Sequence, residues 1–121
     1  MLKKFILMLG FTSIFLLAGC QREPSRYDAF ADCLTEKGIK MYGTDSCPYC
    51  QKQKEMLDGA FDKIDYINCD IKLRQCRETN ITGYPTWILA NGERLIGKQP
   101  LETLADKTNC ELPDINPDFN E

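Results

Sequence analysis

Seven cysteines and not one histidine stand among 121 residues, and that pairing constrains the chain more than any other feature. Without histidine there is no Ser–His or Cys–His catalytic arrangement and no imidazole ligand for a metal. The reactive chemistry that remains is that of sulfur. In an oxidising compartment so many cysteines in a short chain read as a disulfide framework. The first twenty residues bear on which compartment this is.

Residues 1–20 read MLKKFILMLGFTSIFLLAGC. Lys3 and Lys4 make a positive start, and Phe5–Leu17 is a nearly unbroken apolar run of signal-peptide length, short for a membrane span. Its close, Leu17-Ala18-Gly19-Cys20, resembles the lipobox of bacterial lipoproteins. That resemblance implies removal of residues 1–19 and a diacylglycerol on the Cys20 sulfur. The alternatives are a plain membrane anchor or a secretory signal cut elsewhere. On the lipoprotein reading, residues 20–26 form a lipid-anchored linker and the domain is extracytoplasmic and membrane-anchored. It would sit on the periplasmic side of the inner or outer membrane, or on the outer face of a plasma membrane. Gln21 rather than an aspartate follows Cys20, which keeps outer-membrane sorting open.

The rest has the length of one domain with one core. The formal charge is −3 overall and −5 once Lys3 and Lys4 leave with the signal, so nucleic acid is not an expected partner. Pro24–Lys37 has apolar residues at helical spacing (Tyr27, Phe30, Ala31, Leu34) and stops at Gly38. Ile39–Tyr42 reads as a strand, and Pro48 opens a helix that runs to about Leu57, where Asp58-Gly59 breaks it. Ile64–Cys69 reads as a strand and Ile71–Thr79 as a short helix. After the break at Gly83-Tyr84-Pro85, Thr86–Ala90 is an apolar strand. Asn91-Gly92 signals a two-residue hairpin into Glu93–Gly97. Pro100–Thr108 closes the domain, 27–110, as a helix, and 111–121 is an acidic tail expected to be mobile. The order is an extra N-terminal helix and then β-α-β-α-β-β-α. The fold class is therefore α/β, a central mixed sheet flanked by helices.

Cys47-Pro48-Tyr49-Cys50 falls where a strand turns into a helix. Thiol–disulfide exchange needs that placement: free N–H groups and the positive end of the helix dipole favour a thiolate on the first sulfur. The second sulfur, one turn on, resolves the mixed disulfide. Cys47 is the candidate nucleophile and Cys50 the resolving thiol, with Pro48 fixing the first helical turn. The other readings of the pair are an inert disulfide or half of a zinc site completed by Cys69 and Cys76.

This constellation resembles the thioredoxin superfamily over about residues 37–109. The resemblance implies a thioredoxin-like fold and a cis-proline at Pro85, in Tyr84-Pro85-Thr86 beside the active pair. There the exposed backbone lets a peptide pair as an added strand. Tyr84, Pro85, Pro48 and Tyr49 are accordingly the candidate substrate-binding residues. The chain is most similar to the thioredoxin-like domain associated with vitamin K epoxide reductase homologues. Cys33–Gly38, Met41–Gly43, Gln51–Glu55, Gly83–Trp87 and Asn91-Gly92 carry that likeness. It implies a thiol–disulfide oxidoreductase acting on cysteine-containing proteins, with a quinone-linked membrane partner of the vitamin K epoxide reductase kind. No cofactor and no metal are expected. The chain departs from the family in two places: Met41 stands where thioredoxins keep a buried acid, and Ser46 where an aromatic usually precedes the first cysteine.

With Cys20 lipidated and Cys47 paired with Cys50, four cysteines remain, which allow three pairings. The relatives carry a pair in the region of Cys69 and Cys76, so the resemblance implies Cys69–Cys76 and, with it, Cys33–Cys110 as structural disulfides. A relay of electrons through Cys69–Cys76 is the functional alternative. Cys-Pro-Tyr-Cys also suggests a glutaredoxin-like reductase, but the Gly-Gly-x-Asp that grips glutathione is missing. The rival from another class is a non-catalytic, disulfide-stapled lipoprotein that only binds a partner.

Overall fold

The computed structural model describes residues 19–114. The expected leader, save Gly19, and the end of the expected tail lie outside the described residues. In chain order the elements are α1 (Asp28–Glu36), β1 (Lys40–Gly43), α2 (Pro48–Met56), a 3-10 helix (Asp58–Lys63) and β2 (Tyr66–Asn68). There follow α3 (Leu73–Glu78), β3 (Thr86–Ile88), β4 (Arg94–Ile96) and α4 (Leu101–Thr108).

The strands form one mixed sheet in the order β2-β1-β3-β4. β1 runs parallel to β2, with Met41 beside Tyr66, and antiparallel to β3, with Met41 beside Trp87. Successive side chains of a strand point to opposite faces, so this short sheet serves two layers. Met41 and Trp87 meet Phe30, Ala31 and Leu34 of α1, Cys50 of α2 and Leu101 and Leu104 of α4. Tyr42 and Ile67 face the other way, onto Cys69 and Cys76. Helices thus cover both faces, and the topology is the mixed α/β arrangement of the sequence pattern and the thioredoxin-like one that the family resemblance implies.

Several boundaries differ from the sequence reading, each for a physical reason. α1 starts at Asp28 because Ser25 and Asp28 fold the preceding turn back: Ser25 N donates to the Asp28 carboxylate and Asp28 N to the Ser25 carbonyl. The chain does not simply break at Asp58-Gly59. Asp58 takes a positive φ of 52° and leads into the unforeseen 3-10 helix, which buries Ala60. The hairpin is not a two-residue turn either. Gly92 N donates to the Leu89 carbonyl and Leu89 N to the Glu93 carbonyl, with φ 85° at Gly92. That is a three-residue loop, and the left-handed position falls to the glycine while Asn91 keeps an ordinary backbone.

Two features hold distant parts together. Gln53 of α2 is fully buried, and its Oε1 accepts from Trp87 Nε1 at 3.2 Å and from Gln99 N at 2.7 Å. Its Nε2 donates to the Gln99 carbonyl at 3.1 Å, so one amide ties α2 to β3 and to the approach to α4. In the segment expected as a linker, Arg22 is fastened to the domain through the Gly59 carbonyl at 2.8 Å and the carboxylates of Asp28 and Asp62 at 3.0 Å.

Candidate functional site: a dithiol at the start of α2

Cys47 is the N-cap of α2, in an extended conformation, and Pro48 is the first helical residue. The Cys47 Sγ accepts from Cys50 N at 3.1 Å, so the sulfur takes the place a capping oxygen usually holds. Pro48 has no N–H, which removes one of the donors that a helix start leaves unpaired. Cys47 is half-buried, while Cys50, on the inward side of the first turn, is fully buried.

Gly43 brings the buried sulfur close to the sheet. A Cβ on that residue would lie 2.8 Å from Cys50 Sγ, inside any allowed contact, and 3.3 Å from the Tyr66 hydroxyl. Burial pushes the Cys50 thiol up to about 12, helped by its hydrogen bond to Cys47. The Thr44 backbone hydrogen bond and the Lys54 ammonium pull the other way and do not offset it. Cys50 is therefore a protonated thiol at neutral pH in the reduced protein.

The next step in the β1–β3 register past Tyr42 and Thr86 sets Pro85 alongside Gly43, at the end of the sheet where Cys50 lies. The Tyr84–Pro85 bond is cis, Pro85 is buried, and Tyr84 is 38% exposed. Tyr49, inside the dithiol loop, is 62% exposed. A hollow of about 210 Å³ beside Lys37, Ile39, Leu89 and Asn91 lies at the opposite end of the sheet. The sulfurs therefore sit under an exposed rim with aromatic side chains, which suits a protein segment better than a small enclosed ligand.

Polar groups behind the dithiol form a shell that sequence reasoning did not resolve. Asp45 accepts from Asn68 Nδ2 at 2.8 Å, and Lys54 Nζ lies 3.6 Å from its carboxylate. The same ammonium stands 4.3 Å from the Tyr66 ring centre and 5.2 Å from that of Phe61, and the two rings meet edge to face at 5.3 Å. Lys54 thus faces both the Asp45 carboxylate and the Cys50 thiol, whose value it pulls down. Tyr66 joins this shell from β2. Its ring does pack against the core, but its hydroxyl is buried with no hydrogen-bond partner among the described residues. No spacing rule signals such a group.

The structure bonds Cys33 to Cys110 and Cys69 to Cys76, with Cys20, Cys47 and Cys50 outside any disulfide. A four-thiolate zinc site therefore lacks its second pair, because Cys69 and Cys76 are bonded to each other. Cys20 is exposed.

Fold and site together define an α/β domain of thioredoxin-like topology with a Cys-x-x-Cys dithiol at a helix start. No family model matches the chain. Over 97 residues it is 35% identical to the thiol-disulfide oxidoreductase LTO1 of Arabidopsis thaliana, an alignment covering 73% of this chain and 26% of that protein. The chain thus spans about a quarter of the relative's length. Among solved structures, the thioredoxin NaTrxh of Nicotiana alata aligns with a TM-score of 0.47 and 18% identity, over 74% of this chain and 95% of that one.

Proposed function

We propose that the chain is a thiol–disulfide oxidoreductase that exchanges disulfides with cysteine-containing proteins through Cys47 and Cys50. The observation that carries this is the asymmetry of the pair. Cys47 is reachable at the N-terminus of α2, whereas Cys50 is buried one turn behind it with its proton retained. In exchange with a substrate disulfide, Cys47 attacks one substrate sulfur and forms a mixed disulfide. Cys50 then attacks the Cys47 sulfur, closing Cys47–Cys50 and releasing the substrate as a dithiol. The reverse sequence oxidises a substrate dithiol. Tyr84, Pro85, Pro48 and Tyr49 form the rim that receives the substrate segment.

The finer parts of the proposal rest on the sequence. Cys20 carries a lipid that tethers the domain to an extracytoplasmic membrane face. A quinone-linked membrane protein of the vitamin K epoxide reductase kind exchanges electrons with the dithiol. Similarity to a plant thiol-disulfide oxidoreductase supports the chemistry.

A redox titration of the full chain, scored by alkylation and mass spectrometry at each cysteine, tests the proposal. A Cys47–Cys50 couple between about −120 and −200 mV marks an oxidase or isomerase, and one near about −270 mV a reductase that needs an electron supply. If Cys47–Cys50 resists reduction as strongly as Cys33–Cys110 and Cys69–Cys76, the pair is a staple and the chain a binding scaffold.

A further inference from the structure

We propose that the Tyr66 hydroxyl, backed by the Lys54 ammonium, is the hydrogen-bond donor that stabilises the Cys50 thiolate during exchange. This rests on the oxidoreductase function proposed above and adds a group to its site. Cys50 must become a thiolate to resolve a mixed disulfide, or leave as one in the reverse direction, yet its surroundings strongly favour the thiol. Met41, on the strand beside the dithiol, is fully buried and has no ionisable group to take the Cys50 proton. Its neighbour in register on β2 is Tyr66.

Three observations converge on that tyrosine. Its hydroxyl and the Cys50 Sγ face the same small gap, since both would crowd a Cβ placed on Gly43, and glycine keeps the gap open. The hydroxyl is buried with no partner among the described residues, so its hydrogen is uncommitted while Cys50 is a thiol. The Lys54 ammonium over the ring face adds positive potential to the phenol.

The titratable groups facing the phenol are Cys50 on α2, Cys47 at its N-cap, Asp45 in the loop before it and Asp70 after β2, with Lys54 as the cation. Burial first, and then the negative charge of these groups, pushes the phenol above its ordinary value. It therefore keeps its proton and serves as donor, not as base. In the resolving step the Cys50 thiolate forms the bond to the Cys47 sulfur while the Cys47–substrate bond breaks. The electron pair leaves on the substrate sulfur, which ends with the proton that Cys50 lost. The dithiol is oxidised by two electrons and the substrate disulfide reduced by two, and Tyr66 shares its hydrogen without losing it.

The test is stopped-flow reaction of the reduced full chain with one equivalent of an aromatic disulfide that releases a coloured thiol. It is run in a Cys20→Ser background under reduction mild enough to leave the other two pairs closed. The first release reports attack by Cys47, and the second reports resolution by Cys50. Tyr66→Phe keeps the ring and removes only the unpartnered hydroxyl, so its melting temperature is expected to stay level or rise. Its first phase should match the parent, and its second should slow about tenfold or more with its pH profile displaced upward by about one unit. Lys54→Met should shift the same profile in the same direction by less. A second phase in Tyr66→Phe that superimposes on the parent at every pH overturns the inference and leaves the oxidoreductase proposal intact. A parent with no second phase at all sinks the proposed function itself.

Discussion

Cys50 lies at the crossing of stability and chemistry, because the burial that shields its sulfur also decides when it holds a proton. Its thiol is pushed from the ordinary 9.0 up to about 12, chiefly by desolvation. Between those values the folded, reduced chain keeps a proton that the unfolded chain has lost. The folded state is then favoured fully below the unfolded value and progressively less as pH climbs toward the folded one. The reduced protein should lose up to about 1.4 kcal/mol of stability per pH unit above about pH 9 through this group. Denaturant unfolding of the reduced chain and of Cys50→Ser across that range measures it. Parallel stability curves for the two would show that the burial does not hold the proton. Gly43→Ala probes the same contact from the sheet side. The added methyl would lie 2.8 Å from the sulfur. Overpacking of this kind should cost about 1–3 kcal/mol in thermal unfolding and slow the resolving phase, because α2 must retreat from β1.

At the scale of elements, the question is what keeps the start of α2 aimed at the end of the sheet. Packing alone leaves the helix free to slide, whereas the buried Gln53 amide meets two donors and one acceptor on other elements. Gln53→Ala leaves the Trp87 indole N–H and the Gln99 backbone unpaired in the interior and opens a cavity. It should cost about 2–4 kcal/mol in urea unfolding. A loss below about 0.5 kcal/mol would mean that water replaces the amide at no cost. Gln53 is visible in the sequence only as part of Gln51–Glu55, one of the stretches that carry the family resemblance, and nothing in helical spacing marks it as buried. The legible features were local ones: apolar periodicity in α1 and α4, Pro48 at a helix start, Gly38 at a helix end and the apolar run at β3. The features missed depend on what distant residues do. The 3-10 helix exists because Ala60 finds a place in the core, and the hairpin loop length is set by the β3–β4 register. The burial of the Tyr66 hydroxyl, unpartnered among the described residues, places it by Gly43 and Cys50, which are more than fifteen residues away in sequence.

For the molecule as a whole, a domain of this size has a small core, and its two disulfides act over very different lengths. Cys33–Cys110 joins α1 to the residues just past α4 across a separation of 77, while Cys69–Cys76 spans only 7 and sits on the opposite face of the sheet. On the chain-entropy account the long loop contributes about 4–5 kcal/mol and the short one about 2–3 kcal/mol. Cys33→Ser/Cys110→Ser should therefore lower the unfolding midpoint more than Cys69→Ser/Cys76→Ser does. Equal losses would mean that strain or local packing governs both pairs instead of loop length. Exchange activity separates structure from relay. Tyr66 and Asn68 lie on the strand that runs into Cys69, and the Asp70 carboxylate accepts from Asp45 N at 3.1 Å, so loosening the short loop disturbs the shell behind the dithiol without touching the sulfurs. A folded Cys69→Ser/Cys76→Ser protein should keep both phases of thiol release, with the second modestly slowed. If that variant is folded and closes Cys47–Cys50 at the parental rate, yet no longer turns over a protein substrate, the second pair carries electrons and its purely structural role is wrong.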